Sequence, residues 1–520
     1  MIKDIDIRTT PQTAATPELL RQECLRLSGL KSSALHDMRI VRRSIDARQR
    51  NVMVNLRVRL ATDADTKVPD PCPPATAYPD LDATSKSVVI VGAGPAGLFA
   101  ALTALENGVR PIVLERGADV DERRNILAAI SRSGQVDPNT NYSFGEGGAG
   151  AYSDGKLYTR SKKRGPVEKV LATFVQHGAN PDILIDAHPH IGSDKLPGVI
   201  KTMRQTIIDH GGEVHFHKLV DELVMEGGKV TGVKCADGTS YSGPVILAIG
   251  HSARDTYRTL HACGIPMQAK GLAIGVRLEH PQGLIDQIQY HSPKGRGKYL
   301  PAAEYAFVEQ VDGRGVYSFC MCPGGVIVPA ATAPGQLAVN GMSASARSSH
   351  WANSGMVVEV HPGDIPGYEQ HGPLEMMELQ EDLEHNFFMA AGNSLKAPAQ
   401  RMLDFCNRRI SGSLPSSSYI PGLIPMPIHT LLPDFISTRL QEGFRKFGRK
   451  SRGFLTNNAC LVGLESRTSS PVRIPRDPVT MTHESVPGLY PAGEGAGYAG
   501  GIVSAALDGI KAATAATKNL

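Results

Sequence analysis

Residues 87–117 read SVVIVGAGPAGLFAALTALENGVRPIVLERG. The β-branched run Val88–Val91 predicts a short, buried parallel strand. Gly92 permits a tight turn, and Gly94 lets the backbone approach a pyrophosphate. Gly97 lets the following helix, opened by Pro95 and Ala96, pack close to the strand. The N-terminus of such a helix offers free N–H groups and partial positive charge to phosphates. Glu115 lies 18 residues after Gly97, at the end of a second strand over 111–114, and Arg116 and Gly117 follow it. A carboxylate at that point accepts hydrogen bonds from a ribose 2′-hydroxyl and repels a 2′-phosphate. Strand, glycine turn, helix and acid in register predict a dinucleotide site rather than an ordinary turn.

Three further stretches decide which dinucleotide. Residues 489–509, LYPAGEGAGYAGGIVSAALDG, again run from apolar strand through a glycine turn to a small-residue helix. Residues 244–250, PVILAIG, form a strand ending in A-x-G, and residues 144–157, FGEGGAGAYSDGKL, hold five glycines in 14 positions. A loop so rich in glycine costs entropy unless a ligand or close backbone contact orders it.

Together these stretches resemble the glutathione-reductase-like FAD family. That resemblance implies that Gly493 and Glu494 (the family usually has Asp) reach the ribityl chain. It also implies that the amides of Gly501, Ile502 and Val503 face the pyrimidine end of the flavin, where the helix dipole favours reduction. By the same resemblance Ala248, Ile249, Gly250 and Val220 flank the adenine half. Gly147, Gly148, Ala149, Ser153, Asp154, Gly155 and Lys156 run along the pyrophosphate, ribityl chain and isoalloxazine edge. With Tyr317–Gly325 (YSFCMCPGG), Val339–Ser343 (VNGMS) and Arg467–Arg473 (RTSSPVR), nearly the whole chain resembles the bacterial "uncharacterised FAD-dependent dehydrogenase" family. Non-covalent FAD and oxidoreductase chemistry follow from the resemblance; a substrate does not.

The fold expected is α/β. A Rossmann-type FAD-binding domain is split between residues 86–265 and 450–520. A mixed α+β substrate or cap domain occupies 266–449, with strands at Leu272–Leu278 and Val316–Met321 and helices near 374–391 and 396–408. A small β-α-β-β module fills residues 1–60, and the Pro/Asp/Thr/Ala-rich stretch 61–86 reads as a linker. At 520 residues, with 41% hydrophobic and 20% charged residues, the composition is that of a soluble globular protein. A net charge of +4 is small for this length and argues against nucleic acid as a partner. No run of 18 apolar residues predicts a membrane span, and the N-terminus lacks a signal-peptide pattern. Eight scattered cysteines without zinc spacing fit a reducing cytoplasm.

Flavin supplies redox chemistry, so the protein must supply position and electrostatics. Two residues are catalytic candidates: Lys156, a cation at the flavin edge that would stabilise the reduced state, and Tyr498, a hydroxyl donor in the glycine turn. Strand alternation puts Cys320 and Cys322 on one face about 7 Å apart, too far for an unstrained disulfide, so burial as small apolar groups is the favoured reading. His188 and His190 suit a structural or substrate-positioning role; no metal site is expected. His251 follows the A-x-G strand, with Arg254 and Asp255 placed to clamp the adenine half. The basic runs at 161–164 and 445–452 read as solvated charge or as a landing surface for an anionic substrate. A small-molecule substrate is expected. No second GxGxxG–strand–acid unit serves NAD(P)H, which is left as a transient reductant. Alternatives are a flavin-dependent reductase of apolar prenyl chains, an FAD protein that modifies RNA, and a partner-binding protein with structural FAD.

Overall fold

The computed structural model describes residues 1–159, 165–518 and 520. The basic run 161–164 lies outside the described residues. Five short parallel strands form the nucleotide-side sheet, in the order Leu489–Pro491, Val245–Leu247, Ser87–Val91, Arg110–Leu114, Glu213–His215. All four pairings are parallel. The strand from near the C-terminus therefore sits in the same sheet as the one that opens the glycine motif. Ser87–Val91 is buried at every position but Ser87, as a central parallel strand requires.

Helices Pro95–Glu106 and Ile502–Lys518 pack against each other beside this sheet. Glycine makes the approach possible. A Cβ on Gly509 would lie 2.0 Å from Ala96 O, and one on Gly97 would lie 1.8 Å from Gly92 O. Both helices are lined with alanine on their buried faces, so backbone meets backbone rather than long side chains. A three-stranded antiparallel sheet (Val220–Glu226, Lys229–Cys235, Ser240–Ser242) covers one end.

The largest sheet has seven strands, ordered Val308–Val311, Arg314–Cys322, Trp351–Val360, Leu272–Pro281, Cys460–Glu465, Ala397–Arg401, Leu423–Pro425. It is antiparallel except for its last pair. Leu272–Pro281, which contains the expected strand Leu272–Leu278, is buried on both faces down to its final residue. Two expectations are corrected here. Cys460–Glu465 pairs with Leu272–Pro281, so this sheet continues past residue 449 before the chain returns to the nucleotide side. Residues 396–408 are not one helix. Ala397–Arg401 is a strand, Pro398 within it lacking the N–H that a helix interior needs, and only Met402–Cys406 is helical. The helix Glu375–Ala390 lies where one was expected.

Residues 1–61 form a three-stranded antiparallel sheet of Ile2–Thr9, Met53–Ala61 and Asp37–Asp46, covered by the helix Pro17–Ser28. Ile7, Leu20, Cys24, Leu56, Val58 and Leu60 make its core. Arg43 ties it to the rest of the chain through Asp182 and Asp186. The stretch 62–86 has no strand or helix, yet Val68 and Tyr78 are buried and Leu81 N–H bonds His210 O. Among the described residues no helix is long and apolar enough to cross a membrane.

Candidate cofactor and active site

A cavity of about 760 Å³ opens between the parallel sheet and the seven-stranded sheet, within the range of small-molecule and cofactor sites. Both glycine-turn helices point their N-termini into it, at Gly94–Ala96 and Gly501–Val503. The first turn of a helix has N–H groups without intrahelical partners, so both ends present donors and positive potential. Gly94 and Gly148 face one another. The two backbones are close, since a Cβ on Gly148 would fall 3.2 Å from Gly94 Cα, whereas a Cβ on Gly94 would meet only Gly148 Cα, at 3.9 Å, with the cavity open beside it.

The sequence-selected nucleotide residues converge on this cavity. Gly92, Gly94, Pro95, Ala96, Glu115, Arg116, Gly148, Ala149, Ser153, Asp154, Gly155, Lys156, Val220, Ala248, Ile249, Gly250, Glu494, Gly501, Ile502 and Val503 line it. The remaining four shape the wall from behind. Gly97 admits the helix, as above. Gly117 N–H donates to Glu115, and a Cβ there would meet Asn139 O at 2.5 Å. Gly147 adopts φ +81° and donates to Ala93 O. Gly493 adopts φ +75° and donates to Asp508, which the Arg476 guanidinium grips through both oxygens.

Glu115 is almost fully buried and accepts from the amides of Ala93, Gly117 and Gly145. Two carboxylate oxygens have about four lone-pair sites, so one remains for a ligand hydroxyl. Arg116 pairs with Asp255 and lies 4.2 Å above the Phe144 ring. That fits the clamp expected of Asp255, but Arg254 turns away. Its guanidinium, with that of Arg467, grips buried Glu384 on the helix Glu375–Ala390 and so fastens the two halves together. Burial lowers the His251 pKa to about 4, which leaves a neutral ring on the cavity wall.

Glu494 lines the cavity, and no side-chain hydrogen bond to it occurs among the described residues. Burial pushes its carboxyl up to about 7, against the opposing charge of Lys270. In the unfolded chain the group ionises near 4.5, so its contribution to stability is complete below pH 4.5 and is lost as pH rises to about 7. Cofactor-stripped protein should lose stability over that window by no more than about 3 kcal/mol, at about 1.4 kcal/mol per unit. Thermal midpoints measured against pH check this: Glu494→Gln should flatten the decline, and an identical decline in the variant rules Glu494 out as its source.

Tyr498 requires a correction. It is not among the cavity-lining residues. Its hydroxyl accepts the Arg476 N–H, and the Arg476 and Arg473 guanidinium groups lie 4.0 and 5.3 Å from its ring.

On the inserted side, Arg347 takes both oxygens of Asp154, with Nε at 3.0 Å from Oδ1. Sequence reading missed Arg347, because nothing in its neighbourhood repeats or spaces like a motif. His188 Nδ1 hydrogen-bonds Glu304, which raises the histidine's pKa. For Glu304, burial pushes upward but the His188 bond and nearby cations outweigh it, so its carboxyl sits below the usual range. His190 Nε2 meets Ser345 O, and burial lowers its pKa. No group of three His, Cys, Asp or Glu among the described residues has metal-binding geometry.

Cys320 and Cys322 do not follow plain alternation, because the strand bulges between Phe319 and Cys322 and Cys320 adopts φ +43°. Both are free thiols on the cavity wall; Cys322 is buried as expected, but the bulge leaves Cys320 exposed. Arg347 also has a left-handed backbone, φ +47°. Two strained non-glycine residues on one cavity mark a wall whose geometry the surroundings enforce. The basic run 445–452 is largely solvated, with Arg449, Lys450 and Arg452 exposed. It lies mostly on the helix Asp434–Lys450, where Lys446 bonds Gln310 O, Arg449 bonds Glu442 and Lys450 pairs with Glu309.

Comparison with known proteins agrees on the cofactor. Residues 87–126 match an FAD-binding domain model, residues 271–468 the model of a FAD-dependent protein C-terminal domain-like region, and residues 1–61 a domain of unknown function. An "Uncharacterized protein" of Clostridium beijerinckii is 41% identical over 490 residues, 91% of each chain. A probable electron transfer flavoprotein-quinone oxidoreductase of Escherichia coli is 31% identical over 163 residues, 31% of this chain and 36% of that one. Among solved structures, 2,6-dihydroxypyridine-3-hydroxylase from Arthrobacter nicotinovorans shows 12% identity over 84% of this chain and 85% of that one, at a TM-score of 0.37. FAD is the cofactor.

Proposed function

The chain belongs to a family of FAD-dependent proteins, and from that premise we propose that it is an FAD-dependent oxidoreductase of glutathione-reductase-like architecture. The flavin lies in the cavity between the two sheets and meets an organic substrate presented by the inserted one. The observation that carries this reading is the pair of helix N-termini converging on one cavity of about 760 Å³ together with Glu115. When bound, FAD supplies hydride transfer at N5.

The chain's own residues do the rest. The amides at Ala96 and at Ile502–Val503 oppose negative charge. Glu115 keeps one lone pair for a ribose hydroxyl. The inserted sheet roofs the cavity and limits water. His188 holds a proton at Nδ1 against Glu304, in reach of the cavity it lines.

Anaerobic mixing of the purified holoprotein with NADH, NADPH or dithionite, followed by flavin absorbance, tests the reading. With no second dinucleotide motif in the sequence, the expected result is full bleaching by dithionite and slow or no bleaching by either pyridine nucleotide, with substrate as the physiological donor or acceptor. A flavin that no reductant bleaches would overturn the oxidoreductase assignment.

A further inference from the structure

The cavity has a second wall, away from the glycine turns, to which Glu304, Tyr305, Phe319 and Met321 contribute. Alongside its apolar groups and the neutral polar Ser318 and Asn340 it carries one charged cluster. Asp154 gives both oxygens to the Arg347 fork. Glu304 is engaged by His188. Lys156 is left over. Its ammonium is 3.9 Å from Asp154 Oδ2, beyond hydrogen-bond reach, and it donates no hydrogen bond among the described residues. The two carboxylates thus each have a partner of their own, Arg347 for Asp154 and His188 for Glu304, and the Lys156 ammonium has none within hydrogen-bond reach.

The position of that charge is fixed. The Lys156 backbone bridges to His190. Gly155 before it adopts φ +67°, and a Cβ there would fall 2.9 Å from Gly192 N. The Lys156 side chain is only one-third exposed, 33%. Its electrostatic neighbours, Cys320, Cys322, His188 and Glu304, surround the second wall rather than the helix N-terminus at Gly94. It is therefore poorly placed for the pyrophosphate, which the helix N-terminus at Gly94 already suits. A partly desolvated ammonium without hydrogen-bond acceptors is costly unless a ligand supplies them.

Resting on the oxidoreductase reading above, we propose that the substrate carries a carboxylate on an apolar body, with the carboxylate on Lys156 Nζ and the body against Tyr305, Phe319 and Met321. A single ammonium with no carboxylate in hydrogen-bond reach matches a monoanion. A phosphate monoester, at about −1.5 to −2 near neutral pH, would leave charge uncompensated.

Oxidised holoprotein titrated with benzoate, benzamide and phenyl phosphate tests this, read by perturbation of the flavin's visible absorption and without any turnover. Benzoate should perturb the spectrum saturably and bind at least about tenfold more tightly than benzamide or phenyl phosphate. Lys156→Met should keep its FAD and lose that preference, and Lys156→Arg should recover part of it. Equal binding of benzamide, tighter binding of phenyl phosphate, or no perturbation by any of the three would overturn the proposal. So would a Lys156→Met protein with a shifted flavin potential but unchanged benzoate affinity, since the ammonium would then serve the flavin. Loss of FAD from the wild-type protein is a separate result, failing the oxidoreductase reading itself.

Discussion

Glu384→Gln should destabilise the protein by about 3–5 kcal/mol, the usual cost of removing one member of a buried ion pair. Glu384 is fully buried and binds Arg254 on one side and Arg467 on the other, with Ser466 Oγ donating at 2.6 Å. The amide is nearly isosteric but carries no charge and offers one acceptor oxygen. Two buried guanidinium groups would then rely on Glu381, 3.7 Å from Arg254 and already engaged with Arg258. Burial opposes ionisation of Glu384, but the two arginines outweigh it and bring its pKa down to about 2 from an ordinary 4.5. A depressed carboxyl contributes its full stability above pH 4.5 and loses it as pH falls toward 2. The shift corresponds to about 3 kcal/mol, in line with the mutational figure. Denaturant unfolding of wild type and variant should therefore differ by a constant amount above pH 4.5 and converge below it. Equal stabilities at pH 7 would show that Glu384 does not hold the two sheets together.

The nucleotide side of the molecule was legible in the sequence because each part obeys a local rule. A parallel strand buried on both faces must be apolar throughout, a phosphate slot must lack Cβ atoms, and helices in backbone contact must carry glycine and alanine. Glu115 and the 489–509 turn were found that way, although those stretches lie far apart in the chain. The inserted sheet was less legible. Strands were expected at Leu272–Leu278 and Val316–Met321 and lie there, but Leu272–Pro281 is buried on both faces and Arg314–Cys322 bulges before Cys322, so alternation did not tell which side chains face the cavity. Its polar residues make partners only in three dimensions. Arg347 reaches Asp154 from 193 positions away, and His188 reaches Glu304 from 116. Arg467 stood in a stretch noted for its resemblance, but its partner Glu384 could be known only from packing. Tyr498 was misplaced because a turn's direction depends on what fills each side of it, here Arg473 and Arg476.

Gly94→Val carries the second large effect. At Gly97 any side chain would collide with Gly92 O and disturb the fold, whereas at Gly94 a Cβ has open space around it, bounded by Gly148 Cα at 3.9 Å. Gly94 has an extended backbone, φ −77° and ψ −175°, that valine adopts without strain. The variant should fold with nearly wild-type stability. Its branched side chain would occupy the slot that the pyrophosphate needs beside the helix N-terminus, weakening FAD binding on the order of a hundredfold.

Bound flavin per chain, measured by releasing and identifying the flavin from purified wild-type and Gly94→Val proteins alongside their thermal unfolding, tests the central claim most directly. The account predicts one FAD per wild-type chain, little or none in the variant, and similar unfolding of the two proteins once the cofactor is removed. A folded Gly94→Val protein that retains stoichiometric FAD would contradict it, because the flavin would then lie somewhere other than this cavity.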